Sequence, residues 1–225
     1  GALVFLTKSK GAVREFVYSD VSQAYNADAL TLLSPHIIGV PSQMVSQREA
    51  QDQVEAYLYL VNSDGKMPVF MSIRKEQLQG WCEWSTQGSF KNLVNVNRQI
   101  YSIVERTINN STVTTLELLD NTYHTDSASK QTGSATKNWT VAHLPNTEVV
   151  VKSGNYSMGT YTTNGSGQLT LTDAVTSVEI GLNFTPELTT LPPEFQLNDG
   201  ISVGQKRRVV RAVLDLNETL DVKTK

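Results

Sequence analysis

The sequence predicts an all-β protein: β-propeller-like blades of antiparallel hairpin repeats, with a second small β-sandwich or barrel module. Three observations carry this. Strand–turn–strand units recur through the first half, and short strands follow one another through the second. No helical pattern of 10–15 residues separates the strands, as a parallel α/β fold would require.

Leu3–Thr7 leads through Lys8-Ser9-Lys10-Gly11 into Ala12–Tyr18, and Ala56–Val61 leads through Asn62-Ser63-Asp64-Gly65 into Met67–Ile73. Ile100–Arg106 leads through Asn109-Asn110-Ser111 into Val113–Leu119. Gly and Asn stand where a tight hairpin turn needs positive φ. Gly11, Gly65 and Asn110 recur roughly every 45–55 residues, near the repeat length of a propeller blade. Pro68 brings no ladder donor, so it is expected at a strand start or on an outward edge.

Asp28–Leu33 fits one helical turn ended by Pro35, and Gln43–Val54 fits either a short helix or a strand with a polar loop. Asp120–Lys137 is polar and irregular and reads as a connection. Val149–Val151, Thr160–Thr162, Leu169–Leu171 and Val178–Leu182 then follow, with turns at Ser153-Gly154-Asn155 and Gly165-Ser166-Gly167. That is the rhythm of a small sandwich or barrel. Pro192-Pro193 closes it, and Lys206–Leu216 alternates as one long strand. The expected organisation is blades over residues 1–120, the small module over 121–205, and a returning strand over 206–225 that joins the first domain.

A chain of 225 residues is long enough to bury roughly 70–75% of its unfolded surface. No apolar run reaches the roughly 18–20 residues that cross a bilayer. Gly1-Ala2-Leu3-Val4-Phe5-Leu6 has no basic n-region and reads as an interior strand of a longer chain. Net charge is −3, from 19 Lys+Arg against 22 Asp+Glu, so no electrostatic footprint for gripping nucleic acid is visible. The single cysteine, Cys82, excludes a disulfide-stapled domain. Asn-x-Ser/Thr matches at Asn109, Asn110, Asn138, Asn155, Asn164, Asn183 and Asn217 reflect a composition rich in these residues rather than glycosylation.

Chemistry has few footholds. His36, His124 and His143 form neither a His-x-His nor a His-Glu-x-x-His spacing. His124-Thr125-Asp126 would place an imidazole and a carboxylate on one strand face, but a loop hydrogen bond is the plainer reading. Cys82, between Trp81 and Glu83, reads as a buried inert thiol. Trp81 and Trp84 are three apart on a strand and face opposite sides, which suits core packing better than a stacking platform. Lys206-Arg207-Arg208 is the one basic cluster and reads as a solvated strand end or a subunit salt bridge. No catalytic, cofactor-binding or metal-ligating residue is nominated, and a non-enzymatic role without cofactors is expected.

An ordered series of segments resembles the C-terminal part of the tail nozzle proteins of short-tailed phages, also called tail tubular protein B or phage stabilisation proteins. The series runs through Arg14–Tyr18, Tyr25–Leu33 with Ser34–Ile37, Ser63–Gly65, Gly80-Trp81, Trp84–Gly88, Val104–Asn109 and Leu116–Asp120. Asp126–Ala128, His143–Asn146 with Val149, Val178–Leu191 and Lys206–Arg208 complete it. Ala29, where many relatives have an acid, and Asn110, in place of a turn glycine, depart from the pattern. The resemblance implies a propeller-like body with an added β-rich module, assembled as a homo-hexameric ring in the virion tail beneath portal and adaptor. Such a nozzle retains the genome, conducts it during ejection without specific DNA binding, and carries tail fibres or spikes. The competing expectation is a receptor- or glycan-binding tail protein.

Overall fold

Apolar residues at alternate positions and turn residues between them make most of the described residues strand: 61% against 3% helix. The computed structural model describes residues 3–9, 11–50, 53–189, 196–197, 200–201 and 211–215. These form four antiparallel sheets of three or four strands, none closed, and one two-residue ribbon, Gln196–Leu197 with Gly200–Ile201.

The first sheet contains β1 (Leu3–Leu6), β2 (Val13–Ser19) and β3 (Ala24–Ala29) in sequence order. The second contains β4 (Pro41–Gln47), β5 (Ala56–Asn62), β6 (Met67–Ile73) and β7 (Leu78–Trp84), again in order. The third contains β8 (Ser89–Val96), β9 (Gln99–Ile108) and β10 (Ser111–Leu118), with β9 central. Each is an up-and-down meander, and each holds one of the three hairpins expected from sequence. Positive φ occurs at Gly65, Asn109 and Asn110, as the turns require. Pro68 is the second residue of β6, and the β5–β6 register ends at Tyr59↔Val69, just before it. The missing donor falls where that ladder stops.

The second sheet is buried on both faces, and strand alternation shows how. Leu58, Leu60 and Phe70 pack with Val13 and Ile38 and with the half-buried Val4, Leu6 and Leu30 against the first sheet. Tyr59, Val61, Met67 and Val69 point the other way, into a cluster with Leu93 and Ile100 of the third sheet. Three meanders therefore stack face to face. Polar side chains tie their margins. The Gln43 amide donates to the Leu93 carbonyl at 2.7 Å and accepts from its N–H at 2.8 Å. Asn95 Nδ2 donates to the Ser46 carbonyl (2.8 Å), and Gln47 Nε2 to that of Arg98 (2.6 Å). On the opposite side Glu15 pairs with Arg74, and Trp81 Nε1 donates to the Leu30 carbonyl at 2.9 Å.

The fourth sheet contains β11 (Asp126–Thr140), β12 (Glu148–Ser153), β13 (Tyr156–Thr162) and β14 (Gln168–Leu182), in the order β11-β14-β12-β13. Leu169 and Leu171 share one core with Val178, Ile180 and Leu182. Odd and even positions of β14 thus point inward at its two ends, so the ribbon changes face in its middle. Register shifts between Thr132 and Thr136 and between Thr136 and Asn138 accomplish the change.

Several expectations need correction. Asp28–Ala29 end β3 and a turn follows; Pro35 opens a 3-10 helix, Pro35–Ile37, instead of ending a helical turn. A ring-fixed φ and a missing N–H suit a first helical position. Gln43–Val54 is the strand alternative: β4 runs to Gln47, and a polar loop with an Ala50↔Gln53 bridge follows. The irregular connection is confined to Asp120–Thr125, because β11 begins at Asp126. Its mostly exposed, polar residues gain their order from pairing with apolar β14. Leu169–Leu171 and Val178–Leu182 are one strand, not two. The described residues of the module form a single bent open sheet, where a small sandwich or barrel was expected. Of the long strand expected over Lys206–Leu216, residues 211–215 are not in strand. Lys206–Val210 and Leu216 lie outside the described residues, as does Pro192-Pro193.

Candidate functional site

Glycine at position 88 permits the closest approach in the third sheet: a Cβ there would collide with the Glu105 carbonyl and lie 2.9 Å from Arg106 Cγ. That contact seats Arg106, on β9, in the junction between the third and fourth sheets. Arg106 is only 2% exposed. Its Nε donates to Glu117 Oε1 at 2.9 Å and its Nη2 to Glu117 Oε2 at 2.7 Å. Nη2 also donates to Asp126 Oδ1 (2.8 Å), and Nη1 to Asp126 Oδ2 (2.9 Å) and the Gln87 carbonyl (3.2 Å). All five guanidinium hydrogens are thereby used.

Thr86 Oγ1 adds a hydrogen bond to Asp126 Oδ2 at 2.6 Å, and Gln87 Nε2 reaches the Asn183 carbonyl at 2.7 Å. Burial opposes the charge on Arg106, but both carboxylates outweigh it and push its pKa up. Burial likewise raises Asp126; the hydrogen bonds and charge of Arg106, with Thr86 and Gln87, win and hold the carboxyl below its ordinary value. A fully satisfied ion triad offers neither a free donor nor a free base. Its chemistry is that of a clasp between sheets.

Of the residues singled out from sequence, Asp126 joins it and the other described ones do not. Asp126 is taken by Arg106, so the His124–Asp126 pairing does not form. His124 lies in the loop before β11; its N–H donates to buried Glu179 at 2.6 Å, and its Nδ1 accepts from Lys152 Nζ at 2.9 Å. The loop hydrogen bond is the reading that holds. His143 Nε2 donates to the Ser127 carbonyl at 2.8 Å, and His36 sits in the 3-10 helix. Trp81 and Trp84 take opposite faces: Trp81 packs on Phe70, whereas Trp84, 40% exposed, meets Tyr59 edge-on. Core packing therefore describes Trp81 fully and Trp84 only in part. Lys206-Arg207-Arg208 lies outside the described residues.

Cys82 is exposed, which corrects the expectation of a buried thiol, because β7 is an edge strand of its sheet. Neighbouring atoms still desolvate its sulfur enough to push the pKa up, against a hydrogen bond with Trp84 that lowers it. Less thiolate is present near neutral pH than in an ordinary thiol. Alkylation of Cys82 followed by mass spectrometry is expected to be slower than that of free cysteine, and to accelerate as pH climbs past the ordinary thiol value. A rate at or above that of free cysteine would refute this.

A groove of about 270 Å³ between the first two sheets is lined by Val4, Leu30, Phe70 and the Glu15–Arg74 pair. A wider one, about 760 Å³, lies along Asn138–Thr140, Thr162–Asn164 and Gln168–Thr170 and has no carboxylate, imidazole or amine in its lining. Among the described residues no group of three or more His, Cys, Asp or Glu is placed to hold a metal ion, and no helix is long and apolar enough to cross a membrane.

What the surface does offer is two apolar faces at the ends of the three-sheet stack. One carries Leu3, Phe16, Tyr18 and Tyr25; the other carries Val94, Val96, Ile103, Leu116 and Leu118. No protein-family model matches the chain, and no curated protein matches it.

Proposed function

We propose that this chain is a structural, non-enzymatic subunit of a short-tailed phage tail nozzle, a virion component whose channel retains the genome and conducts it during ejection. The observation that carries the reading is the face-to-face stack of three consecutive meanders. Successive blades of a propeller pack in this way, each four-stranded or nearly so, with first strands adjacent. Here Gln43 and Asn95 join β4 to β8, the first strands of two neighbouring sheets. The ordered series of nozzle-like segments supports the same reading. In it the stack forms one sector of a propeller-like body and the fourth sheet is the added module. The partners are further copies in a hexameric ring, an adaptor, and fibres or spikes. A net charge of −3 suits a lumen that passes duplex DNA without holding its phosphates.

Antiserum against the 225-residue chain is expected to label the tails of short-tailed virions in immunogold electron microscopy. Labelling confined to capsids or absent from particles overturns the proposal, as does cleavage of polysaccharide or peptidoglycan by the purified chain. A receptor- or glycan-binding tail protein is the second reading, favoured by the partly exposed ring of Trp84. It requires glycan-array binding that is lost in Trp84→Ala.

A further inference from the structure

We infer that the two end faces of the sheet stack dock onto each other between copies of this chain, the aromatic face of one copy against the aliphatic face of the next. The inference deepens the assembly reading above and rests on it for the identity of the occupant; the faces themselves are observed.

Strand register defines both faces. Phe16 stands opposite Leu3 and Ala27, and Tyr18 opposite Tyr25, so these residues share the side of the first sheet that points away from Val13 and the second sheet. On the third sheet Tyr101 stands opposite Val94 and Leu118, and Ile103 opposite Leu116, on the side away from buried Ile100 and Val104. Tyr25 is 64% and Leu116 71% exposed. Nothing among the described residues covers either face.

Neither face suits a polar ligand. The charged Arg14 on the aromatic face donates Nη1 to the Ala27 carbonyl at 2.8 Å. At the margin of the aliphatic face Lys91 pairs with Glu105 at 3.2 Å. Phe16 and Tyr25 stack at 4.9 Å between ring centroids, and Tyr18 meets Tyr25 edge-on at 5.2 Å. Ring faces spent on one another are poorly placed to stack a sugar. The exposed apolar area of each face is on the order of 400 Å², given 150–250 Å² per aromatic side chain. That matches the largest patch on an ordinary monomer, and here there are two of them. Joined, the two approach the roughly 1,000 Å² at which a specific interface becomes credible.

The contacts within the chain show the same construction, since first meets second and second meets third through apolar sheet faces. An end-to-end contact continues that series. It also sets large aromatic side chains against smaller aliphatic ones, the large-on-small arrangement by which facing layers interdigitate. The resulting contact is heterologous, as a ring requires.

Sedimentation of the 225-residue chain over a wide concentration range provides the test, with circular dichroism to establish that each variant is folded. The weight-average mass is expected to rise above 24.8 kDa with concentration. Tyr25→Lys and Leu116→Lys should each weaken association about 30-fold or more. Each variant keeps one intact face, so an equimolar mixture should form a single capped one-to-one pair. A wild-type chain that stays monomeric overturns the inference and gives the faces to another polypeptide's sheet. If the Leu116→Lys chain still self-associates alone, the contact joins like faces and the inference is wrong. An oligomer indifferent to both substitutions sinks the inference but leaves ring assembly standing, whereas unlabelled virion tails would sink the nozzle reading.

Discussion

Replacing Arg106 with methionine is expected to cost about 3–5 kcal/mol of unfolding free energy. Urea titration would read it as a lower midpoint at unchanged slope. The reason lies in what remains. Glu117 and Asp126 each have side chains about one-fifth exposed, at 21%, and without the guanidinium two partly desolvated carboxylates face each other unpaired. A triple variant, Arg106→Met with Glu117→Gln and Asp126→Asn, removes both orphan charges and is expected to regain most of the loss. If the single substitution costs under about 1 kcal/mol, or the triple variant is as unstable as the single, the clasp is not what joins the third and fourth sheets.

The same site sets an acid limit. Asp126 has a folded-state pKa below its unfolded value, which is about 3.9. Its stabilising contribution is therefore complete above that value and disappears as pH falls through the lower, folded one. Wild-type stability should fall over that acidic interval, and Asp126→Asn should remove this part of the slope.

Leu60→Ala is the second large effect, expected at about 2–5 kcal/mol. Leu60 is fully buried on the face of β5 that meets the first sheet, among Val13, Ile38, Leu58 and Phe70. Truncation leaves a void between two stiff layers that can collapse only partly. Val21→Ala is the control: at 99% exposed it should change stability by no more than about 0.5 kcal/mol. Near-equal midpoints for the two variants would mean that the first and second sheets do not pack as described.

Legibility in the sequence followed burial. β5 and β6 were readable as apolar runs and β9 as an alternating one, each bounded by turn residues, and Asn109-Asn110 marks its turn as clearly as Gly65 does. β11 was not, since a strand with one long polar run carries no period; its order comes from β14, distant in the chain. The change of face within β14 hid for a related reason, as a bulge breaks the alternation that identifies a strand. Arg106 reads in sequence as an ordinary residue of β9. Only its reach to Glu117, which lies on the same face of β10 as its register partner Val113, and its place beside a β11 that sequence alone did not reveal make it a buried tie. Tyr18 was visible as a strand aromatic, but Tyr25 lies on a β3 that was not expected, and the face they share depends on a register that composition does not contain.

The pairing of β11 with β14 has a consequence for biosynthesis. The three hairpins join neighbouring residues, so each can close soon after leaving the ribosome. Asp126 finds its partner only when Leu182 has been made, and until then the apolar inner row of β12 waits without its neighbour. Loop closure over such a separation is slow. The fourth sheet is thus the stretch whose nascent form most needs shelter, and synthesis paused before Leu182 would leave a chaperone-binding intermediate with its first three sheets already assembled.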